Sequence, residues 1–389
     1  MPERPWPAGQ PLAVAVVSDA IYPYNKGGKE KRIFEITKRL AQRGHHVQVY
    51  SMQWWDGPRA RREHGAELLG ISRRYPLYVN GVRSIAQALL FGLACFRLLG
   101  ARFDVVEVDH MPYFPLFVVK LVALVRRKPM VAVWHEVWTR DYWHSYIGWK
   151  GWAGYLVART SALLPDVIFA VSELTAQRLR RFTGTPRVLL IPNGIEFDRA
   201  NRSQAIGPQS DVIFAGRLLS HKRVDLLLRA LRILRDRGLT ARCLVVGEGP
   251  ERVPLARLAR GLGLERSVLF LGHVQDDEEL YGLMKSSTVL VLPSAREGFG
   301  IVVIEANACG IPAITVAYPD NASRLLISQQ AANGQVCQPT AGALADAIQR
   351  QLAAPGCAES CRAWARRFDW ETVTDGVERA YRSLAKEGV

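Results

Sequence analysis

Four charged side chains stand out by their spacing. Glu297 and Glu305 bracket an otherwise Gly-rich and apolar stretch in REGFGIVVIE, and Arg217 and Lys222 lie five residues apart in FAGRLLSHK. An Arg can grip a phosphate through two parallel hydrogen bonds, and a Lys adds a mobile point charge. A helix beginning near Phe299, with Ile301, Val302 and Ile304 buried, would present free N–H groups to an anion. The four residues therefore predict a diphosphate site with both carboxylates directed at one bound molecule, although Arg217 and Lys222 could also be solvated surface cations.

Three further motifs carry weaker signals. Gly27 and Gly28 follow the first apolar run, where glycine lets backbone approach a ligand, or forms a flexible turn. His135 closes MVAVWH and could donate to a sugar hydroxyl or phosphate or carry a proton, but a lone His is more often structural. The motif of Gly247 and Gly249 lacks the third glycine of a dinucleotide fingerprint, so a tight turn with close backbone packing is the preferred interpretation.

An aromatic segment surrounds and follows His135. It spans 134–155 and includes Trp138, Tyr142, Trp143 and Trp149 among neighbouring Lys and Arg. Such residues suit a membrane interface or a sugar-stacking surface, and core packing explains them equally well.

Short apolar runs alternate with amphipathic stretches along the chain, as in AVAVVS (13–18) followed by FEITKRLAQRG (34–44). This alternation predicts parallel sheets covered by helices. The turn signal at Pro192–Gly194 and the polar segment 199–210, predicted as a linker, divide the 389 residues into two domains, 1–195 and 196–370. Ligands of such folds bind at the carboxyl ends of the strands.

The composition narrows the class of protein. Residues 1–195 hold 27 Lys and Arg against 14 Asp and Glu, whereas 196–389 hold 24 against 22. A basic half suits nucleic acid, anionic lipid or a phosphorylated substrate, but no nucleic-acid-binding signature accompanies it. The six cysteines show no metal or disulfide spacing, which predicts reduced thiols. No secretory signal is expected, and 84–96 and 112–125 are too short for a bilayer span and are predicted as buried or interfacial helices.

Several of these motifs together resemble the family 4 glycosyltransferases, the retaining transferases of GT-B fold. The resemblance rests on GR-x4-K (Gly216, Arg217, Lys222), EGFG with a second Glu eight residues on, the IPNGIE turn and ANACGIPAI, and it is densest in 187–316. It implies an α/β fold of two Rossmann-like doubly wound domains facing across a cleft, with the C-terminal helix, 371–389, packed back on the N-terminal domain.

The resemblance also implies site residues. Arg217 and Lys222 would hold the donor diphosphate, Glu297 the sugar hydroxyls and Glu305 the ribose, while His135 would join Glu297, Arg217 and Lys222 in catalysis. The base would lie near GHVQ (272–275). The implied ligand-binding set is Gly27, Gly28, Gly216, Arg217, Lys222, His273, Val274, Glu297, Gly298, Phe299, Gly300, Ile301 and Glu305. Within it, the Gly27–Gly28 loop would complete the cleft from the acceptor side together with His135.

The resemblance implies transfer of a hexose from a UDP- or GDP-sugar to a glycan or lipid-linked acceptor, in cell-surface polysaccharide or glycolipid synthesis. No D-x-D triplet occurs, so we expect no metal requirement and no bound cofactor. The acids that the family often carries near 326–332 are absent, which leaves the sugar open. The basic first half favours a cytoplasmic protein in peripheral contact with an anionic membrane. A nucleotide-sugar epimerase, a nicotinamide-dependent oxidoreductase and a nucleic-acid-binding protein are the alternatives.

Overall fold

The computed structural model describes residues 10–79, 81–183, 187–274 and 276–387, which form two compact units. Unit 1 comprises the chain up to Asn193 together with the residues from Glu371 onward. Unit 2 runs from Gly194 to Trp370. Gln275 of the predicted base-binding segment, and residues 388–389 of the predicted C-terminal helix, lie outside the described residues.

Unit 1 contains an eight-stranded sheet in the order β10-β9-β8-β7-β1-β2-β4-β3, parallel except for β3, which pairs antiparallel with β4. A separate antiparallel pair is formed by β5 and β6. The strands are β1 (Ala13–Val17), β2 (His46–Met52), β3 (Ala60–Glu63), β4 (Ala66–Ser72), β5 (Tyr78–Val79), β6 (Val82–Arg83), β7 (Val105–Asp109), β8 (Met130–Trp134), β9 (Val167–Ala170) and β10 (Val188–Leu190).

Helices cover both faces of this sheet. They are α1 (Gly28–Gln42), α2 (Ile85–Ala94), α3 (Phe114–Arg126), α4 (Arg140–Ile147), α5 (Gly151–Ser161) and α6 (Glu173–Thr183), with 3-10 turns at Cys95–Gly100 and Gly148–Lys150. Successive strand residues point to opposite faces, so Ala132 packs in the core under α2, α3 and α5, whereas Phe169 stacks on Tyr381 on the other side. Burial on both faces explains why the inner strands are continuous Val, Ile and Ala runs.

Unit 2 is a six-stranded parallel sheet in the order β13-β12-β11-β14-β16-β18, with a short parallel pair, β15 and β17. The strands are β11 (Ser210–Ala215), β12 (Cys243–Val246), β13 (Val268–Gly272), β14 (Ser287–Leu292), β15 (Arg296–Glu297), β16 (Ala313–Val316), β17 (Asp320–Asn321) and β18 (Gly334–Cys337). The helices are α7 (Phe197–Arg202), α8 (Val224–Asp236), α9 (Arg252–Gly261), α10 (Asp277–Lys285), α11 (Ile301–Ala308), α12 (Ala341–Ala353) and α13 (Ala358–Ala365), with 3-10 turns at Ser220–Lys222, Ala322–Leu326 and Arg366–Phe368. The predicted α/β class with two Rossmann-like parallel sheets is confirmed.

The strand order of each sheet reverses at one place. In unit 1 the reversal lies between β1 and β7, and in unit 2 it lies between β11 and β14. In open parallel sheets the loops leaving such a point diverge to opposite faces and leave a crevice for a ligand. The residues that follow these four strands are therefore the first candidates for a site.

The segment predicted as a linker, 199–210, begins inside α7 and is part of unit 2. Phe197 and Ala200 of this helix are buried, and the guanidinium of Arg366 lies over the Phe197 ring. The low density of apolar residues in the sequence obscured the helix, which is also held by polar contacts such as Arg199 with Asp276 at 2.6 Å.

No helix of the described ranges is both long and apolar enough to cross a membrane. The apolar segments 84–96 and 112–125 correspond instead to α2 with its 3-10 extension and to α3.

The last helix, α14 (Trp370–Glu387), belongs to unit 1 from Glu371 onward and pairs with α1 through charged side chains. Arg43 contacts the carboxylates of Glu371, Asp375 and Glu378 at 2.7 to 2.9 Å. His45 Nε2 lies 3.2 Å from Glu378 Oε1. Burial opposes ionisation of Glu378, but the hydrogen bonds from Arg43, Arg382 and His45 outweigh it and lower its pKa from 4.5 to about 2.

This cluster predicts a pH dependence of stability. A carboxylate whose pKa is lowered on folding stabilises the native state at pH values above 4.5, which is its pKa in the unfolded chain. That contribution is lost as the pH falls towards about 2. We expect the Tm of wild type to fall over this interval, and that of Glu378→Gln to start lower and fall less. Thermal melts across the interval measure this, with the exposed Glu265→Gln as the control. An equally steep fall in Glu378→Gln would contradict the assignment.

Candidate functional site

Two loops meet at the strand reversal of unit 2. Gly216 and Arg217 follow β11 directly, and β15, which holds Glu297, follows the neighbouring β14. Gly216 has a φ of 151°, a backbone conformation that favours glycine. Arg217 is exposed, as a residue that grips a ligand must be. The structure thus brings the two predicted motifs to one edge of one sheet.

The predicted pair Lys222 and Glu297 is in direct contact. Lys222 Nζ donates to Glu297 Oε1 at 2.5 Å, and their side chains are 18% and 11% exposed. Lys222 ends the 3-10 turn just before α8 rather than lying in the helix itself, and Ala295 N donates to the His221 carbonyl at 2.8 Å. That backbone bond ties the two loops together, so the ion pair is held at a fixed place.

The pKa of His221 reflects the charges that surround it. Burial lowers its pKa to about 4, and the charges of Arg296 and Lys222 add to the effect. Arg217 acts in the same direction, while Glu297 opposes it. Three cations therefore act on one neutral imidazole, which makes this edge of unit 2 an electropositive site suited to a diphosphate.

The EGFG segment opens α11 as predicted, but two residues later. Arg296 and Glu297 pair with Asp320 and Asn321 as a short strand, and the helix begins at Ile301 rather than near Phe299. Gly300 has a φ of 95°, and a Cβ there would meet Ser323, so only glycine fits. Gly298 lies between the strand and the buried Phe299. The first residue of α11 therefore comes four residues after Glu297 along the chain.

The interior face of α11 differs from the predicted one. Val303 and Ile304 are buried, whereas Ile301 and Val302 are only partly buried, so the predicted burial of Ile304 is confirmed and that of Ile301 and Val302 was wrong. Glu305 lies on the same helix and is itself buried, and its charge contributes to the raised pKa of Tyr281 after burial of that phenol.

The remaining unit 2 candidates lie one and two strands further along the same edge. His273 and Val274 follow β13, His273 being exposed and Val274 partly buried. Gly247 and Gly249 follow β12, and a Cβ at either would collide with backbone of the Gly216–Leu218 loop. The prediction of a tight turn with close backbone packing is confirmed, and the two glycines seat the loop that holds Arg217.

In unit 1, His135 meets a partner that the sequence did not indicate. His135 follows β8, and its Nε2 lies 3.3 Å from Oδ2 of Asp109, the last residue of the neighbouring β7. Burial opposes ionisation of Asp109, but Lys29 and His135 outweigh it and hold its pKa well below the usual value. Asp109 is therefore an anion that can orient His135.

Lys29 joins this group from α1. Its Nζ donates to Asp19 Oδ1 at 2.9 Å and to the Met111 carbonyl at 3.0 Å, and it lies 3.9 Å from Asp109. Burial alone would lower the pKa of Lys29, but the two carboxylates outweigh it and the pKa is raised. The basic run KGGKEKR and the strand ending DH were the available signals, yet they lie about 80 residues apart and only the sheet order joins them.

Gly27 and Gly28 do not follow β1 directly. Residues 18–26 intervene, Gly27 precedes α1 as its N-cap, and Gly28 is the first helical residue. A Cβ on Gly27 would meet the Glu30 carboxylate, so the small residue permits a close turn at the helix start.

The aromatic segment divides between core and surface. Trp134 and Trp143 are buried, and Trp138 packs between Tyr142, Trp143 and Tyr146. Trp149 and Trp152 are instead exposed. Within the described ranges, no group of three or more His, Cys, Asp or Glu could hold a metal ion.

Two known protein families match this chain. The family described as Glycosyltransferase Family 4 matches residues 26–199, and the one described as Glycosyl transferases group 1 matches 197–368. The chain belongs to the family 4 glycosyltransferases. The predicted family is thereby confirmed, with one match in each half.

Curated relatives of this glycosyltransferase match over part of their length. D-inositol 3-phosphate glycosyltransferase of Rhodococcus erythropolis is 36% identical over 204 residues, 48% of this chain and 45% of the relative. The GDP-mannose-dependent alpha-(1-6)-phosphatidylinositol dimannoside mannosyltransferase of Mycobacterium tuberculosis is 30% identical over 171 residues, 42% of this chain and 43% of the relative. The matched regions thus span less than half of each relative.

Solved structures match over nearly the whole chain. Anabaena HepE in complex with UDP superposes with a TM-score of 0.72 and 19% identity, over 96% of this chain and 100% of that one. At this identity the likeness concerns the fold, which is the predicted GT-B fold.

Proposed function

We propose that this chain is a retaining glycosyltransferase that moves a hexose from a UDP- or GDP-sugar to a glycan or lipid-linked acceptor. The observation that carries the proposal is the Lys222–Glu297 pair, held on loops that leave the unit 2 sheet where its strand order reverses, with Arg217 at the start of the same loop as Lys222. Departure of a nucleoside diphosphate places negative charge on phosphate oxygens. Fixed cations and helix N–H groups directed at that charge lower the barrier.

Each unit 2 residue then has a role. Arg217 and Lys222 bind the diphosphate, the backbone from Gly298 to Ile301 caps it, and Glu297 accepts from the sugar hydroxyls. Glu305 binds the ribose, and His273 and Val274 lie near the base. The bond from the anomeric carbon to the phosphate oxygen breaks, and the acceptor oxygen bonds to that carbon on the same face. The acceptor proton passes to the departing phosphate.

Unit 1 is proposed to receive the acceptor. His135, oriented by Asp109, can hydrogen-bond the acceptor hydroxyl, and the Gly27–Gly28 turn allows close approach. The named activities of the two relatives, on an inositol phosphate and on a phosphatidylinositol dimannoside, support an inositol-containing or lipid-linked acceptor. We place the protein in the cytoplasm, in peripheral contact with the inner face of the membrane, in glycolipid or cell-surface polysaccharide synthesis.

The donor can be identified by ligand stabilisation. We expect UDP- or GDP-sugars to raise Tm, because a ligand at 100 times its Kd stabilises the native state by about 2.7 kcal/mol.

With the donor so identified, we expect sugar transfer to persist in excess EDTA, because the cationic side chains supply the charge that a metal would. Transfer lost in EDTA and restored by magnesium would contradict the metal-free proposal.

The acceptor distinguishes transfer from epimerisation. A transferase consumes the donor in proportion to glycosylated acceptor, whereas an epimerase converts the nucleotide sugar with no acceptor present. Product analysis by chromatography after incubation with donor alone separates the two. Formation of a new nucleotide sugar from the donor alone, with no hydrolysis, would show that the protein is an epimerase and not a transferase.

A further inference from the structure

The helices on one face of the unit 1 sheet carry apolar side chains on both their inner and their outer sides. We call α2, its 3-10 extension Cys95–Gly100, α3 and α5 the helix layer. On α2, Phe91 is buried in the core, while Ile85, Leu89 and Leu93 recur every four residues and are 43% to 65% exposed. A surface helix ordinarily turns a polar face to water. No Asp, Glu, Lys or Arg occurs between Ser84 and Phe96, so α2 has no such face.

The exposed side chains belong to neighbouring helices rather than to scattered positions. Gly92 of α2 lies against the backbone of Phe114 at the start of α3, which allows these helices to pack closely. Leu116 of α3 and Ala158 of α5 enter the same core as Phe91. The outer sides of these helices therefore form one surface.

The outer surface continues beyond α2. Val125 at the end of α3 is 71% exposed, and Trp149 and Trp152 before and within α5 are 73% and 56% exposed. Large contiguous apolar surfaces of this kind mark interaction sites. Trp is enriched where a protein meets the lipid headgroup region, because its ring is apolar and its N–H is polar.

The charges around the helix layer are cationic. Arg102, Arg126, Arg127 and Lys150 are exposed. Two carboxylates beside these helices are already paired in the described structure, Asp104 with Lys128 at 3.2 Å and Asp166 with Lys120 at 2.7 Å. Arg126 and Arg127 also interact favourably with the negative, C-terminal end of the α3 dipole. Their charged groups nevertheless remain on the surface. A second copy of this chain on the helix layer would bring like charges together, whereas an anionic lipid surface complements them.

A cationic groove adjoins the helix layer. It has a volume of about 570 Å³ and is lined by Arg59, Arg97 and Arg102, with Tyr50 and Gly100 among its other residues. Arg97 donates from one nitrogen to the Ile71 carbonyl at 2.5 Å, which fixes its guanidinium at the groove. Guanidinium groups in such an arrangement suit a phosphate monoester or diester.

We propose that unit 1 docks on an anionic membrane through the helix layer, with the apolar side chains entering the headgroup–acyl boundary and a lipid phosphate taken into the groove. Membrane docking would bring the enzyme to the lipid-linked acceptor proposed above, and the docking proposal rests on that proposed function for its biological purpose. Vesicle binding needs neither donor nor acceptor, so it can be tested independently of transfer.

Flotation of the full chain with phosphatidylcholine vesicles, with and without phosphatidylglycerol, tests the proposal. We expect binding only to the anionic vesicles, weakened by salt. Leu89→Glu/Leu93→Glu should reduce vesicle affinity at least about tenfold, because it removes two apolar insertions and adds two repelled charges. Arg102→Gln and Arg126→Gln should each reduce it about fivefold.

The matched control is Leu269→Glu, the same substitution at an exposed leucine of unit 2, which should bind vesicles as wild type does. Circular dichroism and Tm establish folding of each variant. Trp149→Phe/Trp152→Phe, which preserves the aromatic bulk, should lose the fluorescence quenching that brominated phospholipid causes in wild type.

Several results would overturn the proposal. These are equal binding to neutral vesicles, unchanged binding of Leu89→Glu/Leu93→Glu, or a wild-type dimer that this variant converts to monomer. Stabilisation by inorganic phosphate without vesicle binding would assign the groove to a free anion and likewise overturn docking. Nucleotide binding measured on the same samples shows whether the proposed function stands separately.

Discussion

Replacing either member of the Lys222–Glu297 pair by Ala is expected to abolish measurable sugar transfer while the fold survives. Lys222→Ala removes a cation that stabilises the departing diphosphate, a loss of at least about 10²–10³-fold in kcat. Glu297→Ala removes the acceptor of the sugar hydroxyl bonds and releases Lys222 from its 2.5 Å contact. Steady-state transfer with the identified donor measures both effects.

The chain offers a matched control for this test. Lys120 pairs with Asp166 at 2.7 Å, and both side chains are 18% exposed, which resembles the burial of Lys222 and Glu297. Lys120→Ala should therefore cost similar stability and leave nucleotide binding unchanged. Glu297→Gln, which keeps the size and loses the charge, should be as inactive as Glu297→Ala if the carboxylate itself is needed. Wild-type turnover in Lys222→Ala or Glu297→Ala would refute the site assignment.

The largest effect on stability is expected at Arg32. This residue of α1 is 1% exposed and donates to the Pro192 carbonyl at 2.5 Å. Its charge also acts on the buried Glu107, which accepts a 2.5 Å hydrogen bond from Tyr381 of α14. Burial raises the pKa of Glu107, and Arg32 is the largest influence that opposes this. Removing Arg32 therefore takes away the largest of the influences that favour the ionised form of the buried Glu107.

We therefore expect Arg32→Met to lower the free energy of unfolding by about 3–5 kcal/mol. Urea unfolding measures this, and Arg61→Met, which breaks an exposed pair with Glu63, should change stability by less than about 1 kcal/mol. Arg32→Met/Glu107→Leu should recover most of the loss, because the buried charge is gone. A loss below about 1 kcal/mol in Arg32→Met would show that Glu107 needs no countercharge from Arg32.

The unit 2 site could be anticipated because its signals are local. Gly216, Arg217 and Lys222 lie within one loop, and a strand of apolar residues precedes both this loop and the EGFG segment. Neighbouring parallel strands bring their carboxyl ends to one edge, so two such loops need only the right strand order to meet. The exact start of α11 was less predictable, since the Asp320–Asn321 strand that pairs with Arg296–Glu297 is 24 residues away.

In unit 1, His135 was predicted, but its partners Lys29 and Asp109 were missed for the opposite reason. The three residues are distant in sequence, and no local motif links Lys29 or Asp109 to His135. Their convergence depends on the order β8-β7-β1, which a single sequence does not specify. Asp109 in particular gains its role from burial, and burial is a property of the folded chain.

The sequence alone determined the alternation of strands and helices, the glycines that tight loops demand, and the family. Each follows from a few adjacent residues, because periodicity and backbone freedom are local properties. Only the tertiary structure decided which side chains meet and which remain uncovered. The apolar residues of α2 predicted a buried or interfacial helix without distinguishing its sides, yet the fold buries Phe91 and leaves Leu93 exposed. Hydrophobicity shows that a surface favours burial, but only packing shows whether the chain itself provides the cover.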